Sequence, residues 1–206
     1  MTPEQEKKAI QRVRAGDTDA FEALVRAHEK TVYNIALRML GNPQDAEDAA
    51  QEAFLKAYHS LDALQSENRF SVWLYRIVSN VCLDQLSARK RRKETSVTVE
   101  NDEGELEELE VPDERFSPER LLDRKLTREA VQRGLSELSD EARSILLLRE
   151  IRGLSYEEIG RALGLEPGTV KSRIFRARKK LCIFLLQDGN ISDLIPSAQV
   201  RGGETP

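Results

Sequence analysis

Between Thr169 and Lys180 the chain places Lys171, Arg173, Arg176, Arg178, Lys179 and Lys180 with no carboxylate among them. Side chains of these types perform recognition rather than covalent chemistry. Fixed cations neutralise phosphates, and an arginine fork matches the O6 and N7 edge of guanine, discriminating by roughly 1–3 kcal/mol per good pair. Thr169 and Ser172 add hydroxyls to the same stretch. Phe175 adds an apolar ring that either touches a thymine methyl or covers a turn, and the sequence leaves both uses open.

Covalent chemistry has no comparable candidates. There is no glycine-rich phosphate loop and no nucleophile constellation. Cys82 and Cys182 lie far apart without a CxxC, each among apolar neighbours, and read as buried thiols rather than ligands or a disulfide. His28 and His59 lack partners at metal-ligand spacing. Neither a metal, a cofactor nor an enzymatic activity is expected.

The elements that must position the cations can be read around them. Ser155 and Glu158 form a capping box at a helix start. Ile159, Ala162 and Leu163 give that helix an inward face, and Gly164 supplies the conformation that ends it. Pro167 suits the first turn of a second helix. There Val170, Ile174, Ala177 and Leu181 fall at i, i+4, i+7 and i+11, which turns the cations outward. A capped helix, a glycine turn and a one-sided basic helix predict a helix-turn-helix. Its second helix would read bases near its N-terminus through Lys171, Arg173 and Arg176. Arg178, Lys179 and Lys180 would hold the phosphate backbone.

The rest of the chain is also patterned for helices, and the predicted class is all-α. Phe21, Leu24, Val25, Val32, Ile35, Ala36 and Met39 recur at helical spacing, and Gly41-Asn42-Pro43 breaks and restarts the pattern. Asn42 reads as an N-cap with Pro43 at the first helical position, followed by a stripe of Ala46, Ala50, Ala53, Phe54 and Ala57. Ser71 reads as the cap of a further helix with Leu74, Ile77, Val78 and Val81 inward, running into the basic block Arg89 to Lys93. Ser117-Pro118-Glu119 and Leu138-Ser139-Asp140 read as two more helix starts. The predicted organisation is a helical unit over 5–93, an acidic flexible linker over 94–116, a second helical unit over 117–186 and a frayed tail over 187–206.

The net charge of −4 over 206 residues is unevenly distributed: a basic block at 89–93, acids without Lys or Arg from Glu94 to Glu114, then basicity again. No apolar leader and no run of about 18–20 apolar residues is present, so neither secretion nor a membrane span is expected. A reducing cytoplasm follows.

Three blocks carry a resemblance. Asp45-Ala-Glu-Asp-Ala-Ala-Gln-Glu-Ala-Phe-Leu-Lys-Ala-Tyr58, then Phe70-Ser-Val-Trp-Leu-Tyr-Arg-Ile-Val-Ser-Asn80, then Leu154 to Ile159 with Gly168 to Arg178 occur in this order and spacing. Together they resemble the extracytoplasmic-function group of bacterial sigma-70 family sigma factors, over almost all of residues 10–186. The resemblance implies a subunit of RNA polymerase that reads the −35 and −10 promoter elements and opens the DNA. It implies two small helical domains, sigma domain 2 and sigma domain 4, joined by the linker.

On the first block Asp45, Asp48, Gln51, Glu52 and Leu55 are the candidate core-polymerase residues, opposite the alanine stripe. The implied partner is the β′ clamp coiled coil, and domain 4 would meet the β flap. For the −10 element the candidates are Asn68, Arg69, Phe70, Trp73, Arg76 and Asn80, with Arg89, Arg91 and Arg92 on duplex phosphates beside the opening. A loop before the helix would capture a flipped base, at an unstacking cost of a few kcal/mol. Trp73 suits either stacking on single-stranded DNA or core packing. The linker either tethers two DNA readers or threads the polymerase cleft. The apolar run Leu181–Leu186 either packs on its own domain or meets a regulator. An anti-sigma factor, often membrane-anchored, is also implied.

A second reading is a dimeric transcriptional regulator binding a palindrome, with the N-terminal unit as its sensing or dimerising part. No dimerisation heptad supports it, and it leaves the 45–58 block unused.

Overall fold

A computed structural model describes residues 1–64, 66, 69–95 and 118–188. Its helices are α1 Pro3–Arg14, α2 Asp19–Leu40, α3 Pro43–His59, α4 Phe70–Thr95, α5 Pro118–Ser136, α6 Asp140–Arg152, α7 Tyr156–Leu163 and α8 Pro167–Gln187, with a 3-10 turn at Leu61–Ala63. The protein is all-α, with no strand among the described residues. No helix among them is long and apolar enough to cross a membrane.

The punctuation read from the sequence acts as physical chemistry requires. Gly41 ends α2 in the left-handed conformation, and the Asn42 side chain accepts from the Asp45 amide at 3.1 Å to open α3. Ser139 accepts from the Ala142 amide to open α6. One start is corrected: α4 begins at Phe70, so Ser71 lies inside its first turn rather than capping it. The same helix continues to Thr95, past the expected boundary at 93. The expected linker beyond it, the Ser117 cap and the tail from 189 onward lie outside the described residues.

Helices α1 to α4 pack around Ile10, Leu24, Val32, Ile35, Met39, Phe70, Leu74, Tyr75 and Val78, all essentially fully buried. The stripe on α3, Ala46, Ala49, Ala50, Ala53 and Ala57, is buried throughout. Small side chains there let α3 approach α2 and α4 closely. Burying each large apolar side chain contributes about 1.5–3 kcal/mol before entropy is counted.

A polar thread stitches this bundle. His28 is buried on α2, its Nδ1 2.9 Å from Tyr75 Oη on α4 and its Nε2 2.6 Å from Glu6 Oε1 on α1. Burial pushes the Tyr75 phenol up to about 12, against an opposing pull from Arg152. The phenol therefore stays protonated and can donate to Nδ1 while Nε2–H donates to Glu6. Thus three helices are joined by a satisfied network.

Helix α6 is unusual in being buried on all sides at its centre: six successive residues, Arg143 to Leu148, are buried. It lies between α2 and α4 on one flank and α7 and α8 on the other. Buried side chains of the N-terminal and C-terminal helices consequently form one continuous cluster. Arg143 inside it is fully engaged. Its Nε donates to Leu135 O at 2.8 Å, Nη1 to Met39 O, and Nη2 to Ser136 O and Leu138 O. Burial lowers its guanidinium pKa while Asp140 opposes the shift.

Candidate nucleic-acid interface

The helix-turn-helix is built as its sequence predicts. Ser155 N donates to Glu158 Oε2 at 2.8 Å, and Glu158 N donates to Ser155 Oγ at 3.1 Å, closing the capping box of α7. Gly164 ends that helix at φ 66°, where a side chain would be strained. Gly160 is equally committed, for a reason periodicity does not reveal. A Cβ there would lie 2.5 Å from the Leu165 carbonyl oxygen, inside the turn, while the Leu165 amide donates to Gly160 O at 2.8 Å.

Pro167 opens α8, and Val170, Ile174 and Ala177 are buried against α6 and α7. The face left outside carries Lys171, Ser172, Phe175, Arg176, Arg178 and Lys179, all exposed, with Thr169 half-buried beside them. Phe175 is 69% exposed, so it does not cover the turn. The ring is presented to solvent between the exposed Lys171 and Lys179. Arg176 lies along its own helix, its Nε donating to Ser172 O at 3.3 Å.

Acids on α6, which sequence spacing does not associate with this face, hold several of the cations. Glu150 Oε1 takes Arg178 Nε at 2.9 Å and Nη2 at 2.5 Å. Glu141 Oε2 takes Arg173 Nη1 at 2.7 Å. Arg173 is half-buried and turned toward α6 and α4, away from the outward face to which it was assigned. It sits three positions from the buried Val170, on the flank of the packed stripe. Lys180, expected on the phosphate backbone, instead donates to the Glu137 carbonyl.

The second surface is on α4. Asn80 and Asp84 are exposed, Trp73 and Arg76 half-buried, and Arg69 exposed just before the helix. Asn68 lies outside the described residues. Phe70 needs correction: expected at the DNA, it is fully buried, its ring 5.6 Å from His28 and 6.0 Å from Trp73. Its position as first residue of α4 aims it into the bundle, where it anchors the helix start. The Trp73 ring is tilted against Phe70 and half-buried against the core. Farther along, Arg89 is half-buried and bridges to Asp45, while Arg91 and Arg92 are exposed.

On α3, Asp48, Gln51 and Leu55 are exposed opposite the alanine stripe, and Leu55 is 61% exposed. Asp45 and Glu52 are half-buried on the same side, Glu52 paired with Lys56 at 2.7 Å. An apolar residue among acids on a rigid helix suits a protein partner bearing cations. No group of three metal-ligating side chains occurs among the described residues. Of the thiols, Cys82 is buried as expected. Cys182 is exposed, contrary to expectation, because it falls on the solvent side of α8.

The structure also brings together two residues that sequence reading assigned to different tasks. Asn80 of α4 and Arg173 of α8 line one cavity of about 320 Å³, with Leu83, Glu141, Ile145 and Leu163.

Known proteins share this plan. Residues 24–92 match the sigma-70 region 2 family and residues 128–181 the sigma-70 region 4 family. The RNA polymerase sigma-H factor of Pseudomonas aeruginosa is 37% identical over 88% of this chain and 94% of its own. The extracytoplasmic-function sigma factor SigW of Bacillus subtilis is 36% identical over 85% of this chain and 94% of its own. Among solved structures, that of CnrH in complex with the cytosolic domain of CnrY superposes with a TM-score of 0.62. The two are 28% identical, and the match covers 90% of this chain and 99% of the other.

Proposed function

The chain belongs to the extracytoplasmic-function sigma factors of RNA polymerase, and from that premise we propose how its surfaces divide the work of promoter recognition. As a sigma factor it directs RNA polymerase to promoters. The observation that carries the detailed reading is the one-sided α8: Lys171, Ser172, Phe175, Arg176, Arg178 and Lys179 exposed on a helix whose other side is locked to α6 and α7.

In this reading α8 enters the major groove of the −35 element. Lys171, Ser172, Phe175 and Arg176 meet base edges, and Arg178 and Lys179 meet phosphates. Arg69, Trp73, Arg76 and Asn80 on and before α4 hold the non-template strand of the −10 element. Arg91 and Arg92 lie on the adjoining duplex. The α3 face with Asp48, Gln51 and Leu55 docks on the β′ clamp coiled coil, and domain 4 meets the β flap. The subunit performs no covalent chemistry; two modest DNA contacts joined through one polymerase give selectivity that neither has alone. The units are domain 2, closed by α4 at Thr95, and domain 4, whose first described helix is α5 from Pro118, and the chain works in the cytoplasm. CnrH is held by the cytosolic domain of CnrY; an anti-sigma factor of that kind, able to retain the chain at a membrane, is the proposed regulator.

The test is co-elution with core RNA polymerase and a mobility shift on promoter DNA. A stable complex that shifts promoter fragments, with little shift by the chain alone, is the expected result. A chain that ignores the polymerase and shifts a palindromic duplex as a dimer would favour an ordinary regulator instead.

A further inference from the structure

Helix α1 carries none of the surfaces assigned so far, yet it holds the stretch that leads into α4 at both ends. At the entry, Arg14 is the last residue of α1. Its Nη2 donates to Leu61 O at 3.0 Å and to Leu64 O at 2.7 Å, across 47 and 50 residues of chain. These carbonyls belong to the 3-10 turn Leu61–Ala63 and its C-cap Leu64. A charged donor makes such bonds stronger than those between neutral groups. The Leu61 and Leu64 side chains are buried. The turn is therefore held by apolar packing on one side and by a guanidinium on the other.

At the exit, α4 opens with Phe70, fully buried, its ring 5.6 Å from that of His28. His28 is fixed in turn by Glu6 of α1, whose Oε1 lies 2.6 Å from Nε2. Glu6 and Arg14 are about 12 Å apart along one helix, so a single rod sets both ends. Between them the Arg69 amide donates to Ser66 O at 3.0 Å, and the Arg69 side chain is exposed.

Under the division of labour proposed above, Arg69 and Trp73 hold the non-template strand of the −10 element. An unstacked base is read only by the groups that line its site. Those groups discriminate when they are fixed to within about 0.5 Å. We propose that α1 is the positioning element of −10 recognition and Arg14 its principal positioning residue. The guanidinium fixes the Leu61–Leu64 turn, and through it Arg69, without touching DNA. Arg14 thereby sets how sharply the −10 bases are discriminated. It has no part in −35 reading on α8 or in polymerase docking on α3. The use of the clamp rests on the −10 assignment; the clamp itself does not.

The experiment takes two readouts on the full chain carrying Arg14→Ala. The first is amide hydrogen exchange in the free chain. The Leu64 and Arg69 amides, bonded to Leu61 O at 3.1 Å and Ser66 O at 3.0 Å, should exchange about tenfold faster than in the wild type. The Ser60 amide, bonded to Lys56 O at the end of α3, should not change. The second is run-off transcription by core polymerase with the chain on pooled genomic fragments, with 5′ ends mapped. At the −10 motif, the preference for the favoured base over the next should fall about tenfold. The −35 motif should keep its sharpness. A loss of folded protein would lower the yield of every start and leave both motifs as sharp, so the split between motifs separates positioning from stability. Arg14→Lys, which keeps the charge without the planar head, should fall between the two. Arg12→Ala removes an arginine of the same turn that pairs with Asp17 instead, and should match the wild type in both readouts. Unchanged exchange at Leu64 and Arg69 would overturn the clamp. Motifs that weaken together, or not at all, would overturn its use at the −10 element. If the wild-type chain directs no starts, the promoter reading falls and that use with it; the exchange rates then decide the clamp alone.

Discussion

Glu150 on α6 grips Arg178 on α8 through both Nε and Nη2, at 2.9 and 2.5 Å. The side of the guanidinium best suited to a phosphate is therefore occupied by a carboxylate of the same protein. Both partners are about half exposed, so the pair contributes at most about 1 kcal/mol to stability. Under the proposed role of Arg178 its larger effect is on DNA, which would have to displace the carboxylate before Arg178 could neutralise a phosphate. Glu150→Gln should leave the unfolding midpoint nearly unchanged and tighten binding of the polymerase complex to −35 DNA. The slope of log affinity against log salt should steepen by about one unit. Anisotropy titrations across a salt series would measure this, and an unaltered slope would place Arg178 off the backbone.

Gly160 faces the Leu165 carbonyl with no room for a methyl group, since a Cβ would sit 2.5 Å from that oxygen. Backbone cannot step aside as a side-chain end can. Gly160→Ala should cost roughly 1–3 kcal/mol, read as a lower urea midpoint. The −35 response should weaken with it. Gly168, whose Cβ would meet nothing within 4 Å, is the matched control, and Gly168→Ala should be nearly neutral.

Leu55 separates folding from docking. At 61% exposure on α3 it contributes little to the core. Leu55→Ala should therefore change stability by no more than about 0.5 kcal/mol. If Leu55 is an anchor of the polymerase interface, the same change should weaken binding to core polymerase by about fivefold or more. Competition against a labelled sigma factor would show it. An unchanged affinity would move the docking site elsewhere.

The two thiols should behave differently. Burial, with the charge of Glu52 adding to it, pushes the Cys82 thiol up to about 12, whereas Cys182 is exposed. Ellman titration at neutral pH should find one reactive thiol in the folded chain and two after unfolding. Tyr75 is also raised, to about 12, chiefly by burial. Both groups bind their protons more tightly folded than unfolded. Their contribution to stability is complete below the ordinary values, 9.0 for the thiol and 10.0 for the phenol, and is lost as pH rises toward 12. Urea midpoints measured across that window should fall steadily with pH, and Cys82→Ala should remove the earlier part of the fall.

Much of this molecule is legible in its sequence because the determinants are local. Asn42, Ser139, Ser155 and Gly164 act within a turn of their own positions, and the stripes of α3 and α8 follow from helical periodicity. What could not be read depends on neighbours distant in the chain. His28 finds Glu6 and Tyr75, and Glu141 and Glu150 find arginines 32 and 28 residues away. Phe70 was misplaced because a ring at a helix start reads equally as a base platform or an anchor; only the position of His28 decides. Cys182 was misplaced because apolar neighbours in sequence are not neighbours in space, and the run Leu181–Leu186 winds around α8. The docking of α6 between both halves has no sequence signal beyond its run of apolar residues.

Promoter-directed transcription tests the promoter-recognition role most directly. Core RNA polymerase should be incubated with genomic fragments, with and without this chain, and the 5′ ends of run-off transcripts mapped. Discrete starts that require the chain and share two upstream elements should appear, with dependence on one element lost on Arg176→Ala and on the other on Asn80→Ala. Transcripts indifferent to the chain, or starts without a shared upstream motif, would contradict that role.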